Sequence, residues 1–444
     1  MPAIWLSIAA ASLLAQTPQL APVKFSDTRL PNGLRVLISE DHSAPVFSIA
    51  VSYNAGSRDE RAGRTGFAHL FEHMMFKGSE NVGQGEHPFL VFNNGGNMNG
   101  TTNADRTLYF ETLPKNQLDL ALFLEADRMR SLAITKENLD NQRSAVQEER
   151  RLRVDNAPYG KSFLAVSELA YDNFAYKHSV IGSMEDLNAA TVDDVREFFR
   201  IYYAPNNAAV AIVGDVQPGE VLAKVKKYFG GIPSQPAPKA VDLAEPEQTS
   251  ERRMVIEDKQ ARLPQVQVAY KIGRGAEKET AALEMLSRIL GGGESSRLYQ
   301  RLVKEKETAV QAASFIQTKV GPGLFQIVAF PRAGKPAEET VGEIGEEIAR
   351  LHSATVTAEE LRRARAMTRR IAVSSRESSL SLAVQLADNA VLFNDPGRIN
   401  SEYQKLMSVT EQDIQNAVKK YLRSSNRSVI VTMPAGGAAP ARKK

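Results

Sequence analysis

Two stretches of this chain line up without a gap: TVDDVREFFRIYYAPNNAAVAIV, beginning at Thr191, and TEQDIQNAVKKYLRSSNRSVIVT, beginning at Thr410. Thr191 falls on Thr410, Asp194 on Asp413, Tyr202 on Tyr421 and Asn207 on Asn426. Nearer the start of each half, VSYNAG at Val51 resembles VAYKIG at Val268, and each of these strands runs into a helix that ends in glycine. Self-similarity on this scale restricts the chain to two copies of one supersecondary unit. Each copy holds a Thr-capped amphipathic helix, a polar turn and a buried strand.

A length of 444 residues suits two or three domains, and the repeat selects two. Between about 234 and 252, SQPAPKAVDLAEPEQTS is rich in Pro, Ala, Glu and Ser without periodicity and reads as the linker. The expected division is an N-terminal domain over 22–233, a C-terminal domain over 253–436 and a disordered tail over 437–444. In the first half a hairpin is expected with its turn at Asn32-Gly33, then a half-buried strand ending at Tyr53. Helices are expected around 65–77, 115–131 and 136–153, with NMNGTTNADRTLYFETL as a strand pair among them. The opening MPAIWLSIAAASLLAQTP is apolar from Ile4 to Leu14, too short to span a bilayer, and reads as a signal-peptide core. Residues 1–15 are therefore expected to be a leader, the destination periplasmic or secreted, and the mature chain free of an integral membrane segment.

The second copy differs from the first at one conspicuous place. RTGFAHLFEHMMFKGS, residues 64–79, sets His69, Glu72 and His73 in a run otherwise built from Phe, Leu, Met and Ala. Aligning the helix ends puts Leu283, Leu286 and Ser287 opposite them, so the architecture does not need the polar trio. Buried ionisable side chains are costly unless something pairs with them. Residues four apart on a helix stand one above the other, so His69 and His73 can converge on one metal ion with Glu72 beside them. With no cysteine in the chain, any metal must use His and carboxylates. Zn²⁺ fits that donor set: it takes neutral imidazole nitrogens and, in a catalytic site, a third protein ligand plus an open position for water. Such a water is acidified to a pKa of about 7, and a neighbouring carboxylate can take its proton. The plain alternative is two core histidines satisfied by backbone carbonyls. A formal net charge of +3 demands no polyanionic partner, so nucleic acid is not expected.

A third ligand is sought as a carboxylate on the inward face of a helix. In ENLDNQRSAVQEERRLR the apolar stripe runs through Leu139, Ala145, Val146 and Leu152, and Glu149 lies on it while Glu148 falls on the Arg-rich side. Periodicity alone leaves Glu149 open between a ligand and a residue at the rim of the core.

HLFEH is H-x-x-E-H, the inverted zinc-peptidase motif, and its surroundings resemble the insulinase/pitrilysin family of metallopeptidases. The resemblance runs through LPNGLRV, Gly182, Ser183, Glu185, Asp186, Leu187, YAPNNA and LGGGESSRLYQ. It is nearest the branch with two similar domains per subunit, which includes the β-subunit of the mitochondrial processing peptidase and bacterial homologues. The implied fold is α+β, two homologous α/β-roll domains, each an antiparallel sheet flanked by helices, the second inactive. The resemblance implies one zinc per chain held by His69, His73 and Glu149, with Glu72 as general base of a zinc endopeptidase acting on unfolded peptides or presequence-like segments. In relatives the strand matching NMNGTTNADRTLYF is the edge along which substrate is laid, which makes Asn99 a substrate-binding candidate; the alternative for Asn99 is a turn residue.

Two positions depart from the family pattern. Gln142 stands where many relatives carry a second glutamate. Arg297 keeps the family's substrate-binding arginine, yet the tyrosine that accompanies it is replaced by Val310. In the family that pair reaches the active site from the opposing half of a clamshell, so the expected partner is a homologous non-catalytic subunit, with a homodimer as the alternative. For Arg297 the alternative is an ordinary solvated or helix-capping arginine. The rival function is a non-catalytic structural or binding subunit of a metallopeptidase-like complex. The full set of His69, Glu72, His73 and Glu149 weighs against it.

Overall fold

The computed structural model describes residues 20–436; the expected signal peptide over 1–15 and the expected tail over 437–444 lie outside them. The described residues form two sheets. The first contains β1 (Ser26–Arg29), β2 (Arg35–Glu40), β3 (Val46–Tyr53), β4 (Asn97–Thr102), β5 (Thr107–Pro114) and β6 (Ala208–Gly214), in the order β1-β2-β6-β3-β5-β4. The second contains β7 (Arg252–Asp258), β8 (Gln265–Arg274), β9 (Ala309–Gln317), β10 (Pro322–Pro331) and β11 (Arg427–Pro434), in the order β7-β11-β8-β10-β9. Leaving out β1, the two orders superpose strand for strand. The duplication is thus a duplication of topology. One pairing in each sheet, β2 with β6 and β7 with β11, is parallel, so the sheets are mixed and not wholly antiparallel.

The repeated residues do the same work in both halves. Thr191 and Asp194 form a reciprocal capping box on the helix Val192–Tyr202, and Thr410 and Asp413 repeat it on Glu411–Tyr421. The Asn207 amide donates to the carbonyls of Tyr202 (2.8 Å) and Asn54 (3.1 Å), and the Asn426 amide donates to those of Tyr421 (2.6 Å) and Lys271 (2.8 Å). Each asparagine therefore ties the end of the repeated helix to the equivalent strand of its half, β3 in the first and β8 in the second. The hairpin turns at Asn32-Gly33, where Gly33 has φ +88°, a left-handed conformation that glycine adopts without strain.

Among the helices of the first half that bury side chains in the core beneath its sheet are these four: α1 (Phe67–Met74), α2 (Glu86–Asn93), α3 (Leu118–Ser131) and α4 (Lys136–Arg150). A fifth, α5 (Gly160–Ala170), belongs to the first half in sequence, yet Ala165, Val166 and Ala170 pack with Ala269, Leu324 and Ile430 of the second sheet. The reverse exchange is made by the helix Ser379–Leu392, whose Leu382, Ala383, Leu386 and Ala387 pack on Leu37, Ala50, Ala209 and Ala211 of the first sheet. Each half lends a helix to its twin. β3 is accordingly buried on both faces and not half-buried, because Ser379–Leu392 covers the face that alternation would leave to water. Ser52 donates to Asp388 (2.8 Å) across that contact. No helix of the described residues is long and apolar enough to cross a membrane.

The apolar stripe of α4 is narrower than periodicity implies. Leu139 and Val146 are fully buried, whereas Ala145 is exposed and Leu152 is 62% exposed. The α-helix ends at Arg150 and residues 151–155 wind as a π-turn, which carries Leu152 off the buried face.

Candidate metal centre

α1 has no side chain at its N-cap, which is Gly66 at φ +86°. A remote carboxylate does that work: buried Glu60 accepts from the amides of Gly66 (2.9 Å) and Ala68 (2.8 Å), and its Oε2 meets Nε2 of His178 at 2.9 Å. Asp186 accepts from Thr65 N at 2.9 Å and from its hydroxyl at 2.5 Å. A Cβ on Gly182 would lie 2.5 Å from the Gly66 Cα, so only glycine allows this approach. The stretch from Gly182 to Leu187 is therefore the mount for the first turn of α1. Glu60 and His178 carry no sequence pattern that would have marked them; His178 was visible only as one of six histidines.

His69 and His73 stand one turn apart on α1, with ring centroids 4.8 Å apart and both half-buried. α4 brings Glu149 against them: its Oε2 lies 3.6 Å from Nε2 of His69 and 3.3 Å from Nε2 of His73. The other oxygen, Oε1, is held by Arg153 at 2.7 Å. Burial lowers the pKa of both imidazoles, with the proximity of His73 adding to the effect at His69 and the Glu149 charge opposing it at both. Both rings are consequently neutral near pH 7, with lone pairs available. Nδ1 of His69 is buried without a partner, which leaves this ring unexplained as a hydrogen-bonded core histidine.

The donor set fits zinc. Two imidazole nitrogens and one carboxylate oxygen, all within 4.8 Å of one another, converge at one point. In a tetrahedral zinc site with bonds of ~2.0–2.1 Å, neighbouring donor atoms stand about 3.3 Å apart, close to the observed nitrogen–oxygen separations. Gln142 is buried on α4, where it works to raise the His73 pKa, so it adds polarity beside that ring without a negative charge.

Glu72 lies beside this cluster without joining it. Its Oε2 accepts from the Thr102 hydroxyl at 2.6 Å, which fixes it under β4. Burial raises its pKa, and the Thr102 bond works against that rise. A Cβ on Gly100 would come within 3.0 Å of Glu72 Cγ and 3.1 Å of its Oε1, so glycine at this position is what lets β4 pass over the carboxylate. β4 is the last strand of its sheet, and Asn99 is exposed on it, its Oδ1 accepting from Gly100 N at 2.8 Å.

The remaining candidate is not brought to the trio within this chain. Arg297 donates through Nε and Nη2 to Glu360 (2.6 and 2.8 Å) and through Nη1 to Glu347 (3.1 Å), all in the second half. Val310 is 45% exposed on β9, the edge strand that corresponds to β4. In the second copy, Leu283, Leu286 and Ser287 are buried in the helix Lys278–Gly291, so the positions taken by the trio are ordinary core there.

A second cluster went unmarked in the sequence. His87 Nε2 meets Glu111 Oε1 at 2.5 Å, and Arg128 is held by Glu125 with its guanidinium 4.4 Å from the Tyr109 ring centroid. Burial raises both carboxyl pKa values and lowers that of His87. Arg128 supplies the positive charge this group needs, so it reads as a buried ion-pair network behind β4 and β5.

Comparison with known proteins shows the family. The family model described as "Insulinase (Peptidase family M16)" matches residues 35–183, and the one described as "Peptidase M16 inactive domain" matches 189–368. A Helicobacter pylori protein named zinc protease PqqE is 31% identical over 414 residues, 93% of each chain. The chain belongs to the M16, or insulinase, peptidase family. The crystal structure of a protease from Helicobacter pylori superposes with a TM-score of 0.89 at 31% identity, covering 93% of this chain and all of that one. A probable β-subunit of the mitochondrial processing peptidase from Arabidopsis thaliana is 27% identical over 69% of this chain and 59% of its own. The two-sheet α+β architecture is thus that of an M16 protein, with one half described as inactive in the family.

Proposed function

We propose that this M16 protein is a zinc-dependent endopeptidase whose single active centre lies in the first half of the chain. The observation that carries the reading is the meeting of His69, His73 and Glu149 with Glu72 alongside, below a free sheet edge. One zinc ion per chain would be held by the two Nε2 atoms and Glu149 Oε2. When bound, zinc supplies Lewis acidity that makes water nucleophilic near neutral pH.

The chain's own residues would do the rest. Glu72 takes a proton at its carboxylate, and the burial that raises its pKa suits it both to accept that proton and to release it to the leaving amine. The outer edge of β4 accepts an extended peptide as an added strand, which grips main chain and leaves sequence demands low. Asn99 stands on that edge. The substrates are unfolded peptides or presequence-like segments, encountered after export to the periplasm or beyond.

A measurement of zinc content tests the site. The purified chain is expected to hold about one zinc per molecule and His73→Ala to lose most of it, since two remaining ligands make a poor zinc site. Full stoichiometry in that variant would put the metal elsewhere.

A further inference from the structure

The metal site opens into a cavity of about 720 Å³, whose far wall comes from the second half of the chain. His69 and Glu149 line one side of it, and Lys319, Gln265, Gln267 and Gln326 line the other. The corresponding face of the first sheet is made of apolar residues with Ser48 and Ser52 among them, and it is sealed by the helix Ser379–Leu392, which bonds to both serines. In the second half α5 covers only part of the face, and glutamines occupy what is left open. That difference between two copies of one unit needs a reason.

Lys319 lies in the turn between β9 and β10 and is only 6% exposed. Its Nζ sits 4.4 Å from the Tyr171 ring centroid and 4.3 Å from that of Tyr176. Two carboxylates are near enough to act on it, Asp105 and Glu245, but both are spoken for. Asp105 accepts from Arg58 (2.8 Å), Tyr176 (2.7 Å) and Val320 N (2.9 Å), and Glu245 accepts from Lys271 (3.0 Å) and Asp172 N (2.6 Å). The Lys319 ammonium thus has no carboxylate of its own among the described residues. Further along the same wall, where β8 pairs with Val328 of β10, Gln267 spends its amide on Gln265 at 2.8 Å and leaves its Oε1 buried with no partner. A buried cation with three donors and an empty acceptor further along the same wall fit an extended ligand that bears a negative charge at one point and an N–H at another.

We propose that this wall of the cavity is a carboxylate-accepting subsite for peptides, with Lys319 taking the carboxylate and Gln267 Oε1 accepting a peptide N–H. The inference rests on the peptidase reading and extends it to substrate choice. The carboxylate has two sources, the peptide's own C-terminus or an acidic side chain. Burial pushes the Lys319 pKa down to about 8, so the group is still charged near pH 7 yet is held in surroundings where an anion is worth more than in water.

The test reads binding, so that it stands apart from turnover. One labelled, unstructured peptide is made in three forms: free C-terminal acid with Gln inside, C-terminal amide with Glu inside, and amide with Gln. Their Kd values are measured by fluorescence anisotropy on the full chain carrying Glu72→Gln. One carboxylate-bearing form is expected to bind about ten-fold tighter than the neutral form, the scale of a charge-assisted hydrogen bond, and which form does so identifies the source. Adding Lys319→Met is expected to bring that ratio close to one, and Lys319→Arg to restore part of it. Equal Kd values for all three forms overturn the proposal without need of the lysine variants, as does a preference that survives Lys319→Met. A peptide that binds with the expected preference yet is never cut by the unsubstituted chain contradicts the peptidase reading and leaves the subsite standing.

Discussion

Glu72→Gln is expected to keep its zinc and lose peptide hydrolysis by ~100-fold or more, the scale of a general base. The reason is geometric. Glu72 is on the same helix as the two histidines, but its Oε2 is turned to the Thr102 hydroxyl, while the oxygen facing the imidazoles belongs to Glu149. Glutamine has nearly the same shape, fits under Gly100 and can keep a bond to Thr102 through its carbonyl, so folding and metal content should survive. What it lacks is a carboxylate that can carry a proton between water and the leaving amine. Metal analysis and steady-state hydrolysis of one unstructured peptide, both on the same preparation, check this. Loss of zinc together with activity would make Glu72 a ligand.

The second large effect concerns the chain by itself: it is expected to be a slow peptidase that a companion subunit accelerates by on the order of 10²- to 10³-fold. That is the usual cost of removing one donor to a developing oxyanion. Among the described residues the family's Arg/Tyr pair does not reach the trio, because Arg297 is engaged with Glu347 and Glu360 and the tyrosine position is Val310. A non-identical M16 subunit bearing both Arg and Tyr would supply them from across a clamshell. Rates for the purified chain, for the companion and for their mixture check the claim. A chain free of companion by mass spectrometry that cuts peptides as fast as the mixture contradicts it.

The sequence carried the repeating parts of this molecule well, because the signals there are local. A Thr three residues before an Asp at the head of an amphipathic run is a local capping signal, and the boxes at Thr191 and Thr410 are formed as the repeat implies. Asn32-Gly33 fixes a hairpin for the same reason. The convergence of His69 and His73 follows from four-residue helical spacing, and the meeting with Glu149 agrees with the family resemblance where periodicity had left it open. What the sequence hid is tertiary. No local pattern says that α5 covers the other half's sheet or that Ser379–Leu392 returns the favour, and the error about β3 came from that exchange. The π-turn after Arg150 misled the reading of Leu152. Asp105 and Lys319 acquire meaning only through partners more than forty residues away, and Glu60 and His178 only once the fold brings them together under α1.

The central claim is that one metal ion belongs among three named atoms. Crystals of the chain grown with zinc, with diffraction recorded on both sides of the zinc absorption edge, test it most directly. The expected result is one strong anomalous peak per chain, in contact with Nε2 of His69, Nε2 of His73 and Oε2 of Glu149, and absent below the edge. A peak at another site, or none at this one with the three side chains ordered, would contradict the account.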